Sequence, residues 1–147
     1  VLARLDKLNE AVLDYTASAN SFNSMGEIAR YSDAKANLAL TLYQLGNTQE
    51  AVKNMRDVIR KNPGYADMHV ALAANAWGEG NYIEALKEWK FTCNEISVGC
   101  DAYKDIGWLT TVRRWPPSLI EKFQQFLNRE IPEKLKGSGA LAPSSRG

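Results

Sequence analysis

The chain has 147 residues, and a chain of that size buries roughly 70% of its unfolded surface when it folds as one domain. It carries 18 Lys and Arg residues against 17 Asp and Glu residues, so the formal net charge is +1 and gives no electrostatic reason to expect a nucleic-acid partner. No apolar run approaches the ~20 residues that a membrane-spanning helix needs, and apolar residues recur with helical spacing instead. The sequence therefore predicts no membrane span.

The first predicted element is an amphipathic helix over residues 2–19. Its apolar face repeats at spacings of three and four residues and comprises Leu2, Leu5, Leu8, Val12 and Tyr15. Asn9–Tyr15 is similar to Gln49–Met55, so we interpret this helix as the second helix of a partial repeat. The first residue is Val1, and we expect the numbering to begin at a processing site or another boundary. Whether another helix precedes this one is left open.

Residues 20–30 are rich in Asn, Ser and Gly, which favour turns over helix. Ala11 precedes Ala51 by 40 residues, about six more than the repeat described below. We therefore predict an ordered surface loop over residues 20–30, acting as a spacer or, alternatively, carrying a contact.

Two helix pairs follow in a common frame. Ser32 or Asp33 is predicted to cap a helix that ends near Leu45, and its partner spans Thr48–Lys61. The second pair spans Ala66–Trp77 and Tyr82–Ile96. A shift of 34 residues superimposes seven identical residues: Leu38 on Leu72, Ala39 on Ala73, Gly46 on Gly80, Asn47 on Asn81, Glu50 on Glu84, Ala51 on Ala85 and Lys53 on Lys87.

This pattern resembles the tetratricopeptide repeat, a 34-residue helix–turn–helix unit, over residues 32–99. The resemblance implies an all-α solenoid of helical hairpins, with repeats at 32–65 and 66–99. Lys35 and His69 stand where that family usually has an aromatic residue, and Ser97 stands where it usually has proline. These departures leave the frame intact.

The repeat loses its regularity after residue 99. Tyr103, Ile106 and Gly107 fit a third first-helix, but the diproline Pro116-Pro117 cannot lie inside a helix. We predict that Pro117 opens a last helix ending near Arg129, which caps the solenoid. Residues 1–131 are thus predicted to form one TPR-like domain of seven helices, with a degenerate repeat and cap at 100–131. Residues 132–147 are predicted to be an extended tail.

No catalytic constellation is evident in the sequence. His69 is the only histidine and has no His, Cys or carboxylate partner three or four residues further on, which disfavours a metal site. No phosphate-binding glycine motif is present. We expect a protein that is not an enzyme and that has no cofactor and no metal.

The resemblance implies protein binding in a groove lined by the first helix of each unit. The groove residues predicted to contact a partner are Asn37, Leu40, Tyr43, Gln44, Ala74, Trp77, Lys104 and Trp108. A co-chaperone that clamps a carboxylate is an alternative, supported by Asn37 and Lys104 but opposed by small or acidic residues elsewhere.

A second resemblance covers the C-terminal third, where Phe91, Cys93, Cys100, Tyr103-Lys104-Asp105, Trp108-Leu109 and Arg113-Arg114-Trp115-Pro116-Pro117 are similar to a group of chloroplast tetratricopeptide proteins assigned to the thylakoid lumen. It implies a luminal scaffold beside photosynthetic complexes, with photosystem subunits as partners. An assembly chaperone for such a complex is the alternative function, and the cytoplasm or stroma is the alternative location. Arg113, Arg114 and Trp115 are predicted either to contact a partner or, for Trp115, to pack beneath the cap.

The two cysteines, Cys93 and Cys100, lie near the end of one helix and before the next. Gly99 can reverse the chain between them, which would bring their Cβ atoms within disulfide range. In an oxidising lumen we expect a disulfide, and in a reducing compartment two buried thiols.

Overall fold

The computed structural model describes the backbone of residues 2–132 and the side chains of residues 4–132. This part of the chain contains helices and turns but no strand, so the predicted all-α fold is confirmed. The helices are α1 (Leu2–Ser24), α2 (Ile28–Gln44), α3 (Thr48–Lys61), α4 (Ala66–Gly78), α5 (Tyr82–Glu95), α6 (Ile106–Thr111) and α7 (Pro117–Asn128), with a 3₁₀ turn at Asp101–Lys104. Apart from Pro132, the predicted tail lies outside the described residues.

The chain divides into two compact units, residues 1–68 and residues 69–147. The first unit contains α1, α2, α3 and the start of α4, and the second contains the rest of α4 and all later elements. The single domain predicted over residues 1–131 stays a prediction.

Glycines in the left-handed region end α2 and α4. Gly46 has φ 87° and Gly80 has φ 85°, a conformation that costs glycine nothing but strains other L residues. The next residues, Asn47 and Asn81, each donate a backbone hydrogen bond to the carbonyl five residues earlier, at 2.9 and 2.8 Å. Each glycine N–H also bonds the carbonyl three residues earlier, which completes a Schellman cap. The chain thereby turns in the same way after both helices.

The repeated residues have matched roles in the two pairs. Ala51 and Ala85 are fully buried at the start of α3 and α5, where a small side chain permits close packing. Asn47 and Asn81 are the N-cap residues of these helices and have nearly the same φ and ψ angles. Leu38 and Leu72 are buried as well. The buried identities and those at the turns therefore mark positions of structural constraint, whereas Lys53 and Lys87 are exposed.

The predicted loop over residues 20–30 was wrong, because α1 continues to Ser24 and α2 already begins at Ile28. Phe22 packs against the buried cluster of Ala19, Tyr31 and Ala34. This packing outweighs the weak helix propensity of the Asn and Ser residues, a cost of at most about 0.7 kcal/mol each. The longer spacing is accommodated by extending both helices around a turn at Gly26.

The predicted helix start at Ser32 or Asp33 was also wrong. Ser32 lies inside α2, fully buried, and its hydroxyl donates to the Ile28 carbonyl at 2.8 Å. That hydroxyl also accepts a hydrogen bond from Asn62 at 3.1 Å, which ties the end of α3 to α2. Asp33 is exposed and accepts a hydrogen bond from the Tyr65 hydroxyl at 2.8 Å.

Much of α1 is exposed along the predicted apolar face. Leu5 is 43% exposed, and Leu8, Val12 and Tyr15 are half-buried. Ala19 is the one fully buried residue of α1 among those whose side chains are described. The Leu2 side chain lies outside the described residues. Ala19 and Phe22 continue the spacing of this face, so its burial increases toward the C-terminal end of α1.

Aromatic rings form the core of the second unit. The prolines at 116 and 117 start α7 as predicted, and α7 places Phe123 and Phe126 in this core, both fully buried. The Trp89 ring lies 5.7 and 5.6 Å from these two rings. Edge-to-face and tilted pairs at such distances stabilise a core beyond simple burial. Contacts of this kind let α7 cover α5 within this unit.

The end of α7 is fixed on Trp77. The indole N–H of Trp77 donates to the Glu130 carbonyl at 2.7 Å. Arg129, in the left-handed region with φ 55°, places its guanidinium 4.5 Å from the Phe126 ring centre and 5.8 Å from that of Trp77. Burial lowers the pKa of this guanidinium. Trp77 thus anchors the chain that leaves α7.

The third first-helix predicted from residue 100 is interrupted. A 3₁₀ turn ends at Lys104, and Asp105 then has extended backbone angles. Its carboxylate accepts a hydrogen bond from the Trp108 N–H at 3.1 Å and so caps α6. An Asp at this position favours a new helix start over continuation of the old one.

Replacing Gly46 by Ala tests the turn geometry directly. No atom lies within 4 Å of the added Cβ, so the expected cost comes from the positive φ alone. We expect Gly46→Ala to lower the free energy of unfolding by about 1–2 kcal/mol, measured by urea denaturation. Gly64→Ala is the matched control, because Gly64 has the same free space without a positive φ. Equal effects of the two changes would contradict the assigned turn.

Candidate protein-binding surfaces

The predicted groove residues of the first unit separate into two groups. Asn37 and Gln44 are exposed on α2. Leu40 and Tyr43 are only 7% and 3% exposed and belong to the core. Their assignment as partner contacts was wrong, because the α2 face that carries them is packed. Asn37 and Gln44 stay available.

The same separation occurs in the second unit. Ala74 and Trp77 are completely buried, so they cannot contact a partner as predicted. Indeed every residue of α4 is buried. Lys104 is exposed and forms an ion pair with Asp101 at 3.4 Å. Trp108 is half-buried, with its ring edge-on to Tyr103 at 5.1 Å.

Within the Arg113-Arg114-Trp115 segment, the Trp115 indole packs in the core. Trp115 is 3% exposed and its ring lies 5.6 Å from that of Phe123. Of the two roles predicted for Trp115, packing beneath the cap is therefore the one observed, and surface contact was wrong. Arg113 is half-buried, and Arg114 is exposed with φ 54°.

His69 has an acidic partner that the sequence analysis missed. Its Nδ1 lies 2.6 Å from a Glu88 carboxylate oxygen, and its ring centre lies 4.7 Å from that of Phe91. The expectation that His69 has no partner applied only to residues one helical turn away along the chain. Glu88 comes from α5, across the turn at Gly80, and the repeat frame was the signal that could have brought α4 and α5 together.

A basic hollow lies on α3 in the first unit. Lys53, Arg56 and Arg60 surround Asp57 at its rim, and Gln49 and Val52 complete its lining. Its volume is ≈ 450 Å³. The Lys53 and Arg60 side chains are 67% and 71% exposed. Sequence reasoning missed this site because the near-neutral net charge hid a local cluster at spacings of three and four residues.

Asp57 organises the cations of the basic hollow. One carboxylate oxygen lies 2.6 Å from Arg60, and the other lies 3.6 Å from both Lys35 and Lys53. Burial alone would raise the pKa of Asp57, but the Arg60 hydrogen bond and the charges of Lys53 and Lys35 outweigh it and hold the pKa below its usual value. Asp57 therefore stays ionised and keeps the cationic side chains in place.

The structure joins Cys93 and Cys100 by a disulfide, with their Cα atoms 4.7 Å apart. The bridge links the last turn of α5 to the residue before the 3₁₀ turn. Gly99 reverses the chain between them with φ 71°. The bridge thereby fixes the corner at which the regular repeat ends.

Two further findings concern the described residues. Between residues 2 and 132 no helix is long and apolar enough to cross a membrane. Within the same range, no group of three or more His, Cys, Asp or Glu side chains is arranged to hold a metal ion.

Comparison of the chain with protein-family models, with curated proteins and with solved structures gave no match.

The depressed pKa of Asp57 predicts an acid-sensitive contribution to stability. Because the folded-state pKa lies below the unfolded value of about 3.9, the contribution is complete above that value and is lost as the pH falls through the folded-state pKa. The loss of stability in Asp57→Asn should therefore shrink between about pH 6 and about pH 3, measured by urea unfolding. Asp101→Asn, at a carboxylate 96% exposed, is the control and should show little effect. A pH-independent difference for Asp57→Asn would contradict the ion-pair account.

Replacing Trp115 should lower the stability of the fold far more than replacing Arg114. We expect Trp115→Ala to lower the free energy of unfolding by about 3–5 kcal/mol, because it empties a site in the aromatic core. Arg114→Ala, at an exposed position, should change it by less than about 0.5 kcal/mol. Chemical denaturation of both variants makes the comparison, and similar small effects would show that the indole does not support the core.

Proposed function

We propose that this protein is a non-enzymatic scaffold for protein–protein interaction, built from tetratricopeptide-like helical hairpins. The observation that carries the proposal is the matched pair of turns at Gly46 and Gly80, followed by the matched buried alanines Ala51 and Ala85. A 34-residue helical unit with constant internal positions is typical of proteins that bind others through the remaining positions.

The exposed positions of the two pairs differ in the way that binding repeats require. In the 34-residue frame, Arg56 and Arg60 of α3 correspond to Lys90 and Asn94 of α5, and Gln49 corresponds to Ile83. Ile83 is 84% exposed. At these positions one pair presents Arg60 and Gln49 where the other presents the uncharged Asn94 and the apolar Ile83, whereas Arg56 and Lys90 are both cationic. The conserved frame with divergent surfaces supports a role in recognition rather than in structure alone.

For the compartment we propose the chloroplast thylakoid lumen. The disulfide between Cys93 and Cys100 supports an oxidising environment, since such bonds are rare where thiols are kept reduced. The choice of the thylakoid lumen in particular rests on a resemblance. The segment from Phe91 to Pro117 is similar to luminal tetratricopeptide proteins. The partners proposed on this basis are photosystem subunits at the luminal surface, with the cytoplasm or stroma as the alternative location.

Native co-purification tests the proposed function. The protein is purified by affinity tag from gently solubilised photosynthetic membranes, and the bound proteins are quantified by mass spectrometry against an untagged preparation. A stoichiometric photosystem partner supports a scaffold subunit. Release of the protein from mature complexes would favour an assembly chaperone instead. Recovery of nucleic acid without a protein partner would contradict both.

The disulfide tests the compartment separately. Intact mass after alkylation, with and without prior reduction, should show two protected sulfurs in native protein. Reduction should lower the free energy of unfolding by roughly 2–3 kcal/mol, from the loop entropy released. The double variant Cys93→Ser/Cys100→Ser should not respond to reductant. Two free thiols in rapidly trapped native protein would contradict the luminal assignment.

A further inference from the structure

The basic hollow concentrates positive charge on a chain that is otherwise nearly neutral. Its three rim cations, Lys53, Arg56 and Arg60, exceed the single carboxylate of Asp57 that lies among them, whereas the whole chain has a formal net charge of +1. Two of the three cationic side chains are more than two-thirds exposed. The surplus charge therefore faces the surface and favours an anionic occupant.

The geometry of the hollow sets the size of that occupant. Lys53 and Arg60 are seven residues apart on α3, which places their Cα atoms about 10 Å apart along the helix axis. An extended peptide covers that length with about three residues. The hollow has a volume of ≈ 450 Å³ and is open, so a segment of this length would lie across the surface of α3. Val52, half-buried, adds an apolar side chain to the lining.

The chemistry of the hollow favours carboxylates over phosphate. Phosphate sites typically offer backbone N–H groups at a helix N-terminus, whereas these side chains lie in the middle and last turns of α3, where the N–H groups are bonded within the helix. The ionised Asp57 also lies between the cations and repels a compact dianion. Spaced carboxylates on an extended chain can pair with the cations on either side of it. A nucleic acid would need a longer basic surface than one helix face provides.

We propose that the basic hollow on α3 docks an extended acidic segment of a partner protein, with carboxylates two residues apart pairing with the cations of Lys53, Arg56 and Arg60. The inference rests on the proposed protein-binding function and adds to it a surface and a partner chemistry. The Arg60–Asp57 pair fixes one cation of the site, and Lys53 and Arg56 select the charge. Exposed charges of this kind mainly set the association rate and its salt dependence.

A direct binding assay with the full chain tests the docking surface. The probe is an end-blocked, fluorescent peptide of alternating Glu and Gly, followed by anisotropy at low salt. The test variant Lys53→Glu/Arg56→Glu leaves the Arg60–Asp57 pair in place. The control Lys87→Glu/Lys90→Glu makes the same charge change at the corresponding exposed positions of α5. We expect at least about a tenfold loss of affinity in the test variant and less than about twofold in the control.

Three results of the peptide assay would overturn the docking proposal. These are equal losses in the two variants, equal binding of a Gln–Gly peptide, and displacement of the peptide by inorganic phosphate or by an oligonucleotide at lower concentration than by unlabelled peptide. Thermal melts check folding, and Lys53→Gln/Arg56→Gln replaces the test variant if it unfolds. If Lys53→Glu/Arg56→Glu still retains the native partner in full, this proposal fails while the proposed function stands. If the unmodified chain retains no protein at all, the proposed function fails.

Discussion

A glycine in the left-handed conformation after the last turn of a helix is the constraint on which both helix pairs depend. At Gly46 and Gly80 the positive φ lets the next N–H bond back to the carbonyl five residues earlier, so the helix end is satisfied while the chain reverses. The asparagine that follows then starts the next helix at nearly the same φ and ψ. Four residues later a buried alanine allows the second helix to approach the first.

This constraint leaves the exposed positions free to differ. Buried identities such as Leu38 and Leu72 maintain the packing, while α3 and α5 present different side chains to solvent. In the second unit the surplus apolar surface is covered by α7, which inserts Phe123 and Phe126 among the tryptophans. The basic hollow lies among these exposed positions, although its Lys53 is identical to Lys87 in the 34-residue frame.

The sequence predicted well those features that depend on local signals. The bounds of α3 follow from an asparagine before it and Asn62-Pro63 after it, and the start of α7 follows from its prolines. It failed where distant packing decides. Phe22 holds an Asn- and Ser-rich segment in a helix, and Trp77 was assigned to a binding surface although it fills a core. For Trp115 the sequence left surface contact and packing open, and the indole is packed. Periodicity shows that a helix has two faces, but not which neighbour covers each, so it could not show that Leu40, Tyr43 and Ala74 are buried.

Amide hydrogen exchange on the isolated protein and on its native complex tests the central claim, that a constant helical frame binds a protein through its variable surface. The account predicts slow exchange at Asn47 and Asn81 in both samples, because their N–H groups close the two turns. It also predicts that partner binding increases protection along α3 near the basic hollow. Rapid exchange at both asparagines would contradict the frame. Slow exchange there, with no difference between the samples at any exposed surface, would contradict the binding role.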